Sequence, residues 1–406
     1  MESGLSDRVA QACIDEYRRH PEFHPTARSN GVPQFTVLAA VALVHAQDEN
    51  VHCIALGTGS KCLPHNRLPK TGNALHDSHA EVIARRAAIR WFYQEILAAR
   101  TPGADSPWIE KQDNASRRWK MREGVRVWMY VSTLPCGDAS TTALAINQPV
   151  EMAELKALSP MPIPEKGTTA RGRDNYNALG WLRTKPARAD APPTISHACS
   201  DKIAFWSLVG FQGALLFQLM GPIFFSGIVF GDVLDQFSDS DVARVTEDCQ
   251  RALVDRLILS SGDVRPPELR IVFTEIQFPH ARSQIAASSV ASDPESHMWI
   301  APNVLGTRGT TETIVNGFRR GVGPKRQTIS RFQPLTCKAS MMRLHLAARK
   351  DIGLPELRST SYYQLKRVED AKEYQGLKDA LRLPGAPLEG WLVSGQEWES
   401  FEAKLD

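Results

Sequence analysis

The sequence predicts an α/β protein in which helices cover a mostly buried sheet. Two observations predict it. Stretches rich in β-branched and aromatic residues, such as VRVWMYVS (125–132) and LRIVFTEIQF (269–278), alternate along the chain with segments of helical period. The strand-like stretches are also almost continuously apolar, as in strands covered on both faces.

In chain order, a polar amphipathic segment spans 6–19, FTVLAAVALVH (35–45) reads as a helix, and 51–57 reads as a strand. GTGSKCL turns the chain into a basic loop at 64–71, and a helix is expected over 78–99. A Pro, Gly, Asp and Asn-rich insert follows at 101–116, then the strand 125–132, a PCG turn and a short helix. Residues 151–198 are rich in Pro, Gly and Arg with little periodicity, which reads as a long surface loop system; loops of this length are commonly functional. A helix is expected over 199–220, a Gly-Pro break at 221–222, and a buried strand in IFFSGIVF (223–230). The segment DVARVTEDCQRALVDRLIL reads as an amphipathic helix, 269–278 as a strand and 301–326 as a hairpin with a basic end. Beyond Lys338 the chain reads as mostly helical, with many Lys, Arg and Tyr residues.

With 42% hydrophobic and 23% charged residues the 406-residue chain has the composition of a soluble globular protein. A net charge of +3 means that nucleic-acid affinity must come from a local basic surface. The start, MESGLSDRVAQAC, lacks the basic and apolar regions of a signal peptide, and seven scattered cysteines are unlike a disulfide scaffold. An intracellular protein of the cytoplasm or nucleus, not secreted, is expected. The apolar tract 213–231 has the length of a membrane span, but Gln218, Pro222 and its glycines break it, so no membrane association is expected.

The stretch HDSHAEVIARR (76–86) has two compatible readings. Ser78 and Glu81 fit a capping box, with Glu81 alternatively pairing Arg85 one turn on. If His79 instead sits at the very start of the helix, His79 and Glu81 face one cavity, His79 as a metal ligand and Glu81 as a general acid/base. Distant residues favour the second. Cys136, after a strand, and Cys199, in ACSDKIAFW, both stand at expected helix starts, where the dipole favours a thiolate. Together with His79 they make an N/S/S set with a fourth tetrahedral position open, as catalytic zinc requires. The ordinary fate of each cysteine is a small buried hydrophobe. H-x-E followed by P-C is the signature of zinc nucleobase deaminases, but their usual second cysteine falls at Ala139.

GTGSKC (57–62), NALHDSHAEVIARR (73–86), STLPCGDAS (132–140), LRTKP (182–186), ACSDKIAFWSLVGFQGALL (198–216) and KEYQ (372–375) together resemble the RNA adenosine deaminases, in which a distant cysteine replaces the near one. The matches run in that family's order over about 35–395, and no duplex-RNA-binding module precedes them, so the closer likeness is to the tRNA-specific branch that edits alanine tRNA. The resemblance implies a cytidine-deaminase-like three-layer fold, a mixed sheet covered by helices, with a family-specific C-terminal helical extension. It implies one domain over 1–406, with an N-terminal extension at 1–30 and loop insertions at 101–116 and 151–198. The implied reaction is zinc-dependent hydrolytic deamination of adenosine to inosine in tRNA, next to the anticodon on its 3′ side, with His79, Cys136 and Cys199 on zinc and Glu81 shuttling protons.

The helix after Glu81 is apolar all round, yet carries Arg85 and Arg86, and a buried guanidinium needs an anion unless it snorkels to water. The resemblance implies inositol hexakisphosphate, held by Arg85, Arg86, Lys202, Trp206, Gln212, Lys338, Tyr362, Lys366, Tyr374, Lys378 and Trp391, with a relay to the zinc site through Lys202, Asp77 and Lys185. His76, Phe205 and Ala214 depart from the pattern, and the spacing from Lys366 to Tyr374 is longer than in relatives. Candidate tRNA contacts are Lys61, Arg67 and Lys70; Arg171, Arg173, Arg183 and Arg188; and Arg319, Arg320, Lys325 and Arg326. The alternatives are an inactive deaminase fold that binds RNA and a deaminase of another RNA substrate; the sequence leaves oligomeric state open.

Overall fold

The computed structural model describes residues 3–402 apart from 47–49, 114–117, 149–164, 166, 173–178, 186–190, 259–266, 288 and 358–359. Its centre is an eight-stranded mixed sheet. The strands are β1 (Leu38–His45), β2 (Val51–Thr58), β3 (Val125–Val131), β4 (Gly227–Phe230), β5 (Arg270–Phe273), β6 (Glu295–Ile300), β7 (Thr310–Val315) and β8 (Phe318–Arg319). They lie in the order β5-β4-β3-β1-β2-β6-β7-β8. The β3-β4-β5 pairs are parallel, and every pair from β3-β1 outward to β8 is antiparallel.

Residues 35–45 are expected as a helix, but Leu38–His45 form β1 instead. Its side chains alternate between two cores: Ala39, Val41 and Leu43 enter one, while Leu38, Ala40, Ala42 and Val44 enter the other. A strand buried on both faces shows no polar alternation, so its apolar run is indistinguishable from a buried helix by pattern alone.

Helix α1 (Ser3–Arg18) covers one face, with Val9, Ala10, Cys13, Ile14 and Tyr17 packed in the core that holds Leu38, Leu56, Trp128 and Val229. The other face carries α2 (Ala80–Ala98) and α4 (Cys199–Val209), which follows the short helix α3 (Thr141–Ile146). Helix α5 (Asp239–Leu253) packs beside α4, burying Val245, Cys249, Ala252 and Leu253. The C-terminal third carries helices α6 (Lys338–Asp351) and α7 (Lys372–Ala380). This is the expected α/β layering, with a large mixed sheet flanked by helices. Among the described residues no helix is long and apolar enough to cross a membrane.

Several elements differ from expectation. The helix expected over 199–220 stops at Val209, because Gly210 turns left-handed at φ 81°; a separate turn follows at Gly213–Leu216. The insert at 101–116 contributes Ile109–Lys111 to a hairpin with Trp119–Met121. The described parts of 151–198 pair Ala170–Arg171 with Arg183–Thr184. The hairpin of 301–326 is β7-β8, turning at Asn316 and Gly317 with φ of 49° and 78°, the left-handed pair that a two-residue hairpin loop requires.

Candidate active site

His79 ends the short strand Asp77–His79, which pairs antiparallel with Ser60–Cys62, and is itself the N-cap of α2. Ser78 therefore does not cap the helix, and no side chain does; the capping box is absent. Glu81 does not pair with Arg85, whose guanidinium lies 4.9 Å over the Trp206 ring. Because His79 is extended (φ −71°, ψ 146°) and Glu81 is in the first helical turn, two-residue spacing brings both toward Cys136 and Lys185.

The Cys136 loop and the start of α4 are knitted together. The Ser200 amide donates to the Cys136 carbonyl at 3.0 Å, the Asp138 amide to Ser200 Oγ at 3.0 Å, and the Cys199 amide to Cys136 Sγ at 3.3 Å. Gly137 (φ 114°) lies so close to α4 that a Cβ would stand 2.6 Å from that of Ala198. The turn can thus press Cys136 against Cys199 only with glycine here.

Around these groups runs a buried polar chain. His79 Nδ1 donates to Asp77 Oδ1 at 2.8 Å, which leaves Nε2 toward the site. Asp77 Oδ2 accepts from Lys185 at 2.8 Å, from Ser196 Oγ at 2.7 Å and from Lys202. Lys185 Nζ also reaches Cys199 Sγ at 3.1 Å. Burial opposes charge on Asp77, but Lys185 and Lys202 outweigh it and hold the carboxyl well below its usual range. Burial pushes the Glu81 carboxyl up, reinforced by the Cys136 thiolate. The hydrogen bond from Cys199 holds the Cys136 thiol well below its usual range. Among the described residues no three His, Cys, Asp or Glu side chains already stand in a metal-holding group. The donor chemistry nevertheless fits zinc: one imidazole nitrogen fixed by a carboxylate, two adjoining thiols of which one favours the thiolate, and a lysine beside the sulfur.

Next to this chain lies a cavity of about 330 Å³, into whose wall Asp77 and Lys202 also project. Arg85, Arg86, Lys202, Lys338, Lys366 and Lys378 line it, with Trp206, Tyr362, Tyr374 and Trp391. Gln212 lies outside that wall, beside a smaller void of about 70 Å³ bounded by Arg85, Arg86, Tyr362 and Lys366. Its amide donates to the Val209 carbonyl at 3.1 Å and accepts the Ile223 amide at 2.9 Å. Sequence reasoning missed Ser196, Arg367, Arg382 and Glu399, which no local motif marks. Among the described residues, eight Lys and Arg side chains line the cavity against two carboxylates, Asp77 and Glu399. Burial opposes charge on Glu399, yet Lys366 and Lys338 hold its pKa down at about 2. His76, also in the wall, is kept neutral by burial, Lys338 and Arg86, with its pKa pushed down to about 3.

The basic candidates divide. Arg183 is only 2% exposed and donates to the Gly172 carbonyl, so it is no surface cation. Lys61 donates to Ser292 Oγ, Lys70 pairs with Glu397, Arg171 with the Ala191 carbonyl and Arg320 with Glu295. Arg319 lies 3.9 Å from Glu312. Arg67, Lys325 and Arg326 are exposed, while Arg173 and Arg188 lie outside the described residues.

The class of protein follows from its likeness to known proteins. Residues 55–394 match the adenosine-deaminase (editase) domain, and the chain belongs to that family of adenosine deaminases. Among its relatives, the tRNA-specific adenosine deaminase 1 of Schizosaccharomyces pombe is 27% identical over 97% of this chain and 96% of its own. That of Drosophila melanogaster is 30% identical over 79% and 76%. The double-stranded RNA-specific editase Adar of Drosophila melanogaster is 29% identical over 45% of this chain and 27% of its own length.

Proposed function

We propose that this protein deaminates adenosine to inosine in tRNA, at the nucleotide 3′ of the anticodon in alanine tRNA, using one zinc ion held by His79, Cys136 and Cys199. The observation that carries the chemistry is the convergence of Glu81 with His79, Cys136 and Lys185 at the start of α2. The near full-length likeness to tRNA-specific deaminases supports the substrate. When bound, zinc supplies the Lewis acidity that makes water a nucleophile near neutral pH. Glu81 takes a proton from the water as its oxygen bonds to purine C6 and gives that proton to N1; it then takes the second proton from the new C6 hydroxyl and delivers it to N6 as the C6–N6 bond breaks, so that adenosine and water become inosine and ammonia. Asp77 fixes the His79 tautomer through Nδ1, and Lys185 neutralises charge at Cys199.

The cation excess of the neighbouring cavity supports a bound polyphosphate, inositol hexakisphosphate, connected to the zinc ligands through Lys202, Asp77 and Lys185. An anticodon-loop adenosine is easily splayed, which suits a catalytic domain acting on tRNA. The test is to incubate zinc-loaded protein with a panel of unmodified tRNAs and sequence for inosine. Inosine confined to one position of alanine tRNA is expected; none in any tRNA overturns the reading.

A further inference from the structure

The cavity wall contains a row of side chains four residues apart: Tyr374 and Lys378 on α7, then Arg382 just beyond its end. Spacing of four places such residues on one face. We propose that Arg382 is an anion-binding residue of this cavity, presenting its guanidinium to a phosphate group of the bound polyanion from the α7 side. The inference rests on the reading that the cavity holds a polyphosphate.

Three observations carry it. The Arg382 guanidinium lies 5.5 Å from the Trp391 ring centroid and 5.9 Å from that of Phe205, so two aromatic walls of the cavity hold it in place. Its Nε is buried and makes no hydrogen bond among the described residues. A buried donor without a partner is costly, and an anion oxygen in the cavity would satisfy it. Finally, Phe205 lines the same wall with no charge to offer, so on that side Arg382 supplies the planar, bidentate donor that a phosphate prefers. Arg85 and Arg86, by contrast, approach from α2. A ligand gripped from both helices must carry phosphates on more than one side, which a polyphosphorylated ring does and a single phosphate does not.

The test compares full-length wild-type protein with Arg382→Ala and Arg382→Lys. Inositol phosphate released on denaturation is quantified per chain, and affinity for added inositol hexakisphosphate is measured by calorimetry after exhaustive exchange. Wild type should carry the ligand, and Arg382→Ala should weaken binding about tenfold or more. Arg382→Lys, which keeps the charge but loses the fork, should fall between them and guards against misfolding of the alanine variant. Adding Phe205→Arg to Arg382→Ala restores a guanidinium to the same wall and should recover part of the affinity, which a purely structural role for Arg382 would not allow. Wild-type content and affinity in both Arg382 variants overturn the role of Arg382 alone. A wild type that neither carries nor binds the ligand overturns the polyphosphate reading, and this inference with it.

Discussion

At the scale of single residues, burial decides what each ionisable group does. Glu81 is 4% exposed, at the first turn of α2, and is not one of the residues assigned to the metal. Glu81→Ala should therefore lower turnover by at least about 10²-fold while zinc stays near one per chain by elemental analysis; loss of the metal would contradict its role as a proton carrier. Glu312 on β7 is a different case. Burial pushes its pKa from 4.5 up to about 7, against the Leu335 amide at 2.9 Å and the more distant Arg319. Between those two pH values the folded chain keeps a proton that the unfolded chain has released. Stability should consequently fall as pH rises through that window, by up to about 3 kcal/mol. Glu312→Gln keeps an oxygen for Leu335 and should remove this slope, which urea midpoints at pH 5 and pH 8 will show; an unchanged slope means that the carboxyl titrates normally.

At the scale of elements, the start of α2, where Glu81 stands, is positioned by how closely the helix can sit on the sheet. Gly57 of β2 makes that approach possible, since a Cβ there would come 2.7 Å from Ile83 Cβ and from the Ala84 amide nitrogen. Gly57→Ala must push α2 away one turn beyond Glu81. It is expected to cost about 1–3 kcal/mol in stability and to reduce turnover more than tRNA affinity. A melting temperature and kcat equal to wild type would show that the helix accommodates the methyl. HDSHAE was legible because the imidazole and the carboxyl proposed for metal and proton lie within three residues of each other, although the cap reading of Ser78 failed because the residues before α2 pair as a strand. The apolar run of β1 was illegible for the opposite reason, since burial on both faces erases period.

At the scale of the whole molecule, the C-terminal third closes the cationic cavity over α2 and α4, bringing Lys338, Lys366, Lys378 and Glu399 to residues some 250 or more positions earlier, Arg85 and Arg86. Without an anion these cations repel one another: burial, Lys366 and Arg382 together hold the Lys378 amine well below its usual range. Ligand binding then stabilises the folded chain by mass action, about 2.7 kcal/mol at a hundredfold excess over Kd. Protein stripped of polyphosphate should melt several degrees lower and regain its melting temperature on adding inositol hexakisphosphate, followed by calorimetry. No shift on addition would mean that the cavity is stable empty.

The sequence by itself determined the α/β class, the side-chain types at His79, Glu81, Cys136 and Cys199 that the proposed chemistry needs, and most of the basic side chains that meet in the cavity. These are properties of residue type and short spacing. Tertiary structure alone decided that α1 is a packed layer of the sheet, that Ser196 bridges Asp77 to Lys202, that Arg183 is buried, and that Arg382 and Glu399 face the same cavity as Arg85. The physical reason is that a helix's local pattern tells which of its faces is apolar, whereas the partner of a buried charge is set by where distant segments dock, and no local spacing encodes that.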